Sequence, residues 1–233
     1  MTIDDFILEV KKLNIDIDDS KLDKLNKYYE MLIEYNKVMN LTAITEKEQV
    51  YLKHFYDSLT ILKIINLNDY NNLCDFGTGA GFPGIVLKIF YPHLNITLID
   101  SLNKRIIFLN EVIDKLSLKN ITAIHGRIEE YGLNNREIYD IVTCRAVAST
   151  NILLEYAIPI TKVGGYFICL KGNMENEPSY NKALEKLKVK EENKIEFSLP
   201  FENSKRTIIK FKKDTKTSQL FPRKYKDIKN KPL

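Results

Sequence analysis

Four glycines fall within eight positions in the stretch Asp75-Phe76-Gly77-Thr78-Gly79-Ala80-Gly81-Phe82-Pro83-Gly84. The apolar run Asn72-Leu73-Cys74 leads into Asp75, and a helical pattern opens at Ile85, which predicts a strand, a tight turn and a helix start. Glycine adopts positive φ and has no Cβ to hold a ligand off the backbone amides, so the turn is read as a binding site. The residues missing from it narrow the ligand. A triphosphate loop needs Lys and then Ser or Thr after its last glycine, whereas Gly84 is followed by Ile85 and Val86. A dinucleotide loop takes glycine at its first, third and sixth positions, and the sixth position counted from Gly77 is Phe82.

The pattern present is Gly-x-Gly-x-Gly, at Gly77, Gly79 and Gly81. With Asp75 just ahead, it resembles the first motif of the class I S-adenosylmethionine-dependent methyltransferases, in which the backbone approaches the methionyl part of the cofactor. A second buried strand, Ile96 to Ile99, ends at Asp100, about 20 residues beyond the glycines, where a carboxylate accepts both ribose hydroxyls. Asp100 is also placed to cap a helix beginning near Asn103, and the two roles are compatible. An adenosyl cofactor follows from the pair.

The end of the fourth predicted strand bears on the methyl acceptor. Enzymes acting on exocyclic amino groups resemble one another in an Asp or Asn followed by Pro-Pro and an aromatic there, but this chain has Thr143-Cys144-Arg145-Ala146. A cytosine C5 target needs a thiolate, for which Cys144 is the one candidate; a buried strand cysteine is the preferred reading of it. What remains is a nucleophile that needs no base. Guanine N7 has a free in-plane lone pair, so transfer requires in-line placement and desolvation. Arg145 suits that chemistry by holding the cofactor carboxylate or the O6 and N7 edge of the base, unless it merely pairs with Glu129 or Glu130.

These residues must be positioned by an alternation of strands and helices. The chain predicts strands at Ile96–Ile99, Ile121–His125, Tyr139–Cys144 and Tyr166–Leu170, with helices at Ile85–Phe90, Lys104–Leu116 and about Thr150–Ile160, the signature of a mainly parallel sheet covered on both faces. A basic helix at Ser179–Leu187 precedes two strands, Lys194–Leu199 and Arg206–Phe211, able to pair antiparallel at the edge. The fold expected is α/β and Rossmann-like, with residues 71–214 as the core. Residues 1–70 read as a helical extension, with helices at Ile3–Leu13 and Leu22–Val38, the latter capped by Ser20, and a third pattern at Val50–Ile65 carrying His54 and Asp57 on one face. That extension either caps a sheet edge or helps to shape a substrate cleft. Residues 215–233 read as a basic tail with little regular structure.

The 233 residues carry a net charge of +4, unevenly spread. Residues 204–233 hold eleven Lys and Arg against Asp214 and Asp227, a net +9, so the preceding residues carry −5. Such a concentration, with Tyr225 among Arg223, Lys224 and Lys226, points to an RNA partner. No apolar run reaches the ~18 residues of a membrane span, and no secretory leader is visible, so a cytoplasmic protein is expected. Cys74, Cys144 and Cys169 lie in apolar runs without zinc spacing; they read as buried thiols, and no metal is expected.

Asn40-Leu41-Thr42, His54-x-x-Asp57-Ser58-Leu59, Asp75 to Gly84, Asp100-Ser101 with Lys104-Arg105, Gly126-Arg127, Arg145-Ala146-Val147, Lys171-Gly172, Pro222-Arg223 and Pro232-Leu233 together resemble the RsmG (GidB) family. The likeness spans nearly the whole chain. It implies a class I fold with a seven-stranded sheet, and methylation of guanine N7, conventionally position 527, in the decoding-region loop of bacterial 16S rRNA. The resemblance places cofactor contacts on Gly77, Phe82, Ile128, Glu129 and Arg145, with Gly79 and Asp100 added by the reading above and the Phe82 ring packing on the cofactor. Ile128 stands where family members often have Ala. The expected RNA contacts are Arg127, Lys171, Arg206, Lys212, Lys213, Arg223 and Lys224, in a protein acting as a monomer on 16S rRNA or the small subunit. A small-molecule methyltransferase and a non-catalytic rRNA-binding protein are the rival classes.

Overall fold

Thr2 opens the first helix, α1 (Ile3–Lys12), through a reciprocal pair of bonds with Asp5 that satisfies two amides at the helix start. The second, α2 (Asp19–Met39), is capped by Asp18, whose carboxylate accepts from Lys21 N at 2.8 Å, so Ser20 lies inside the helix rather than at its cap. Asn40 ends α2 in the left-handed region, and the Asn36 side chain accepts from Leu41 N and Thr42 N, which fixes the direction of the chain beyond. A composite helix follows: α3 (Lys47–Val50), a π-helical turn over Tyr51–Tyr56, α4 (Asp57–Leu59) and a 3₁₀ turn over Thr60–Lys63.

The computed structural model describes residues 1–145 and 148–233; Ala146 and Val147, part of the Arg145-Ala146-Val147 motif, lie outside the described residues. Beyond the extension come β1 (Asn72–Phe76), α5 (Gly84–Phe90), β2 (Asn95–Asp100), α6 (Asn103–Lys115), β3 (Ile121–His125), α7 (Ile128–Asn134), β4 (Tyr139–Arg145) and α8 (Thr150–Ala157). The chain continues through β5 (Thr161–Lys171), α9 (Asn181–Leu187), β6 (Val189–Ser198), β7 (Lys205–Lys213) and α10 (Tyr225–Asn230). The strands form one seven-stranded sheet ordered β3-β2-β1-β4-β5-β7-β6. β1 to β5 are parallel, while β7 runs antiparallel to both β5 and β6. The last pair is longer than the sequence patterns indicate, because its polar outer residues hide its ends.

Alternate strand residues feed two cores. Leu73, Leu98, Ile141 and Ile168 face the layer built from α2, α5, α6 and the composite helix. Cys74, Val142, Cys169 and Phe211 face the layer of α8, α9 and the C-terminal Phe221 and Ile228. Burying both faces is what makes the central strands near-continuous apolar runs. The order reverses between β1 and β4, and in open α/β sheets the crevice beyond the strand ends at such a reversal is where ligands bind. Among the described residues no helix is long and apolar enough to cross a membrane.

Candidate cofactor and substrate site

The glycine loop leaves β1 and is tied at once to the end of β2: Gly77 N and Thr78 N donate to Ile99 O at 2.8 and 3.2 Å, and Gly79 N to Asp100 Oδ2 at 2.9 Å. Gly77 and Gly79 both have φ of +62°, and a Cβ on Gly79 would meet nothing within 4 Å. The other two glycines are different. A Cβ on Gly81 would lie 2.5 Å from Ile85 Cγ1 and 2.6 Å from the Tyr28 hydroxyl, and one on Gly84 would lie 2.2 Å from Leu98 Cδ2. Gly79 faces open space, whereas Gly81 and Gly84 allow close packing.

Two cavities meet at Gly77, Asp100 and Ser101. One, of about 340 Å³, lies beyond β1, β2 and β3 and is lined by Gly126, Ile128, Glu129 and Tyr225. The other, of about 400 Å³, is lined by Thr42, His54, Gly79, Phe82, Arg105 and Arg145. Each is of ligand-pocket size. A Cβ on Gly126, like that on Gly79, would point into open space, so the walls are cut back where an adenosyl group and its methionyl extension would run. These residues fit S-adenosylmethionine. At the junction the buried Asp100 accepts from Gly79 N, Leu102 N and Arg105 Nη1 at 2.9, 2.9 and 3.0 Å. Arg105 Nη1 also lies 3.4 Å from Asp100 Oδ1. A carboxylate offers about four acceptor positions, so Asp100 can take a ribose hydroxyl in place of the Arg105 contacts. The Leu102 bond shows Asp100 also serving the start of α6.

Arg145, at the end of β4, is held from the N-terminal extension and not by Glu129 or Glu130. Its Nη1 donates to Lys53 O at 2.9 Å and to Asp57 Oδ2 at 3.3 Å, and its Nη2 lies 3.1 Å from His54 Nδ1. Arg206 of β7 donates Nε to both Asp57 oxygens, at 3.0 and 3.1 Å. A guanidinium only donates, so His54 Nδ1 accepts; the proton sits on Nε2, 2.9 Å from Thr42 Oγ1. Burial, and then the charge of Arg145, lowers the His54 pKa to about 3, which keeps the ring neutral. Phe82 is stacked on His54 at 4.5 Å and on Tyr28 at 5.4 Å and is 5% exposed, so little of its ring is left to pack on a cofactor. Arg145 separates the 400 Å³ cavity from a third, of about 320 Å³, lined by Lys53, Asp57, Lys171 and Arg206.

Asp75 was legible only as the acid before the glycines. Fully buried, it accepts on Oδ2 from Thr78 Oγ1 at 2.6 Å and Gly84 N at 2.8 Å, while Oδ1 has no partner among the described residues. Burial, offset by those bonds and by Arg145 and reinforced by Asp100, raises its pKa from 3.8 to about 7. The folded protein therefore keeps a proton that the unfolded chain releases, and this group's stabilisation is full below pH 3.8 and is lost as pH rises to about 7. His54 acts oppositely, costing stability as pH falls from 6.5 toward about 3. Asp75→Asn should accordingly gain on the unaltered protein by about 1.4 kcal/mol per pH unit across this window. Urea unfolding of both proteins at several pH values checks it; parallel pH profiles would refute the assignment.

The cations expected to meet RNA are largely committed inside the fold. Lys213 is fully buried, donating to Ile158 O and Thr161 O at 2.8 Å and pairing with Glu137 at 3.0 Å, so it is not an RNA contact. Arg223 clasps the buried Glu155, Arg206 holds Asp57, and Lys171 pairs with Glu177 at 3.1 Å. Arg127 pairs with Glu129 and lies 3.6 Å from the Tyr225 ring centroid. Lys212 is half-buried beside Tyr166, and Lys224 is exposed. Cys144, like Cys74 and Cys169, is buried and free, and burial pushes its thiol far above the usual range, so it supplies no thiolate. Tyr28, whose hydroxyl donates to Ala80 O from α2, went unnoticed in the sequence, where it is one aromatic in a helical stripe.

The family described as rRNA small subunit methyltransferase G matches residues 21–209. The chain belongs to that family. It is 50% identical over 222 residues to a ribosomal RNA small subunit methyltransferase G of Lachnoclostridium phytofermentans, covering 94% of this chain and 92% of that relative. A protein of the same name from Desulforamulus reducens is 48% identical, with 96% and 95% covered. Among solved structures, the chain resembles a SAM-dependent methyltransferase from Aquifex aeolicus, with a TM-score of 0.52, 16% identity, and 76% of this chain and 97% of that one covered. It also resembles M. jannaschii TYW2 in complex with AdoMet, with a TM-score of 0.56, 16% identity, and 73% and 79% covered. The rRNA small subunit methyltransferase G family thus has here the expected class I methyltransferase fold.

Proposed function

We propose that this chain transfers the methyl group of S-adenosylmethionine to N7 of a guanine in the decoding-region loop of 16S rRNA. Family membership supports the reaction and the rRNA substrate. The observation carrying the choice of N7 is that the two side chains nearest Arg145 able to accept a proton are both engaged. His54 Nδ1 accepts from Arg145, and the Asp57 carboxylate holds two guanidiniums. Neither is free to deprotonate an acceptor, and N7 needs no deprotonation.

When bound, the cofactor supplies an electrophilic methyl group. The chain's own residues place it: Asp100 receives the ribose, Ile128 and Glu129 flank the nucleoside, and Gly77 and Gly79 let the loop backbone approach the methionyl part. Arg145, locked at the boundary between two cavities, orients the cofactor carboxylate or the guanine edge so that the nucleophile and the methyl carbon are in line. Arg145 and Arg206, two guanidiniums sharing the one Asp57 carboxylate, leave the adjoining cavity net positive, which suits an RNA substrate on that side.

The test is reductive cleavage at N7-methylguanine. 16S rRNA from cells lacking the protein, treated with borohydride and aniline, should lack one break in the decoding-region loop. Incubation with the purified protein and S-adenosylmethionine should restore it. A break that persists in those cells would assign the modification to another enzyme and overturn the N7 reading.

A further inference from the structure

The basic C-terminal segment, expected from the sequence to have little regular structure, contains α10 and is docked against the core. Arg136 donates to the carbonyls of Phe221, Thr217 and Ser218 at 2.6, 3.0 and 3.2 Å, and Thr217 N donates to Glu137 Oε1 at 3.0 Å. Arg223 then donates its backbone N, Nε and Nη2 to the Glu155 carboxylate at 2.9, 2.8 and 2.6 Å, and that carboxylate has no exposed surface. Charge-assisted, two-pronged bonds to a buried acid are strong and directional. Ile228 of α10 is fully buried, and the Leu233 carbonyl accepts from Asn151 Nδ2 at 3.3 Å.

The clasp presents one face of α10 to the nucleoside side of the site. Tyr225 and Lys229, four residues apart on that helix, both line the 340 Å³ cavity together with Gly77, Asp100 and Glu129. Arg127, the residue before α7, stacks its guanidinium on the Tyr225 ring. The ring therefore links the C-terminal helix to the segment that carries Ile128 and Glu129.

We infer that α10 is a wall of the cofactor cavity, with Tyr225 and Lys229 contacting a bound adenosyl group and the Glu155–Arg223 clasp holding them there. This rests on the reading of the cavity as the S-adenosylmethionine site. It gives the C-terminal residues a part in cofactor affinity that does not require RNA.

Calorimetric titration of the RNA-free protein with S-adenosylhomocysteine tests it. Tyr225→Ala should weaken binding about ten-fold, the scale of one lost aromatic contact. Lys226→Ala, on the same helix but outside the cavity, should bind as the unaltered protein does. Tyr225 is 36% exposed, so its truncation leaves the fold standing, and an unchanged melting temperature confirms that. Binding by Tyr225→Ala within two-fold of the unaltered protein overturns the inference alone. Failure of the unaltered protein to bind overturns the cofactor site and this inference together.

Discussion

Arg145→Lys is expected to lower single-turnover methylation of 16S rRNA by about 100-fold, with the melting temperature changed by only a few degrees. The guanidinium makes three contacts at once, to Lys53 O, Asp57 and His54 Nδ1. An ammonium keeps the charge but has no planar fork with which to satisfy all three. Asp57 stays paired through Arg206, so the substitution exposes no orphaned buried charge, and the loss falls on placement. Misplacing a group by about 1 Å can cost about 100-fold in rate. Transfer of radiolabelled methyl under single-turnover conditions, alongside cofactor affinity, measures it. A rate within ten-fold of the unaltered enzyme would show that Arg145 only braces the end of the strand.

Gly84→Ala should destabilise the protein by about 2–3 kcal/mol, the upper range for overpacking a core. The added methyl would sit 2.2 Å from Leu98 Cδ2 and 2.9 Å from Asp75 Oδ2, and both residues are fully buried. Leu98 belongs to β2 and Asp75 to β1, so relief requires α5 to move off the sheet. It would also strain the bond from Gly84 N to Asp75, which helps to anchor the glycine loop. A chain of this size loses about 2–4 °C per kcal/mol, which gives a fall of about 4–12 °C in thermal unfolding. Gly79→Ala makes the contrast, since its Cβ meets no neighbour: with φ of +62° it carries backbone strain but no clash. If Gly84→Ala melts with the unaltered protein, the close packing of α5 on β1 and β2 is wrong.

These glycines mark where sequence reading stops. Their spacing identified the loop, because a tight turn after a strand must be written in glycine. That Gly77 and Gly79 face the cavity while Gly81 and Gly84 admit Tyr28, Ile85 and Leu98 is decided by neighbours far along the chain. The same holds for charge. Arg145 and Asp100 were legible, since each ends an apolar strand where ligands of such sheets bind. Asp57, 88 residues from Arg145 and 149 from Arg206, could be placed on a helix face but not in a bond with either.

The basic C-terminus shows the division most sharply. Composition counts its cations and reports a field that attracts phosphate, a property of net charge that needs no coordinates. Whether a given cation is free depends on what lies within about 4 Å of it: Lys213 is sealed against Ile158, Thr161 and Glu137, and Arg223 is spent on Glu155. The α/β alternation, the glycine loop and the acid ending β2 follow from local periodicity and turn chemistry, which a chain carries residue by residue. The partners of each charge, the packing role of each glycine and the docking of α10 against the cavity beside the glycine loop arise only when segments remote in sequence are brought together, because burial and ion pairing are long-range in the chain and short-range in space.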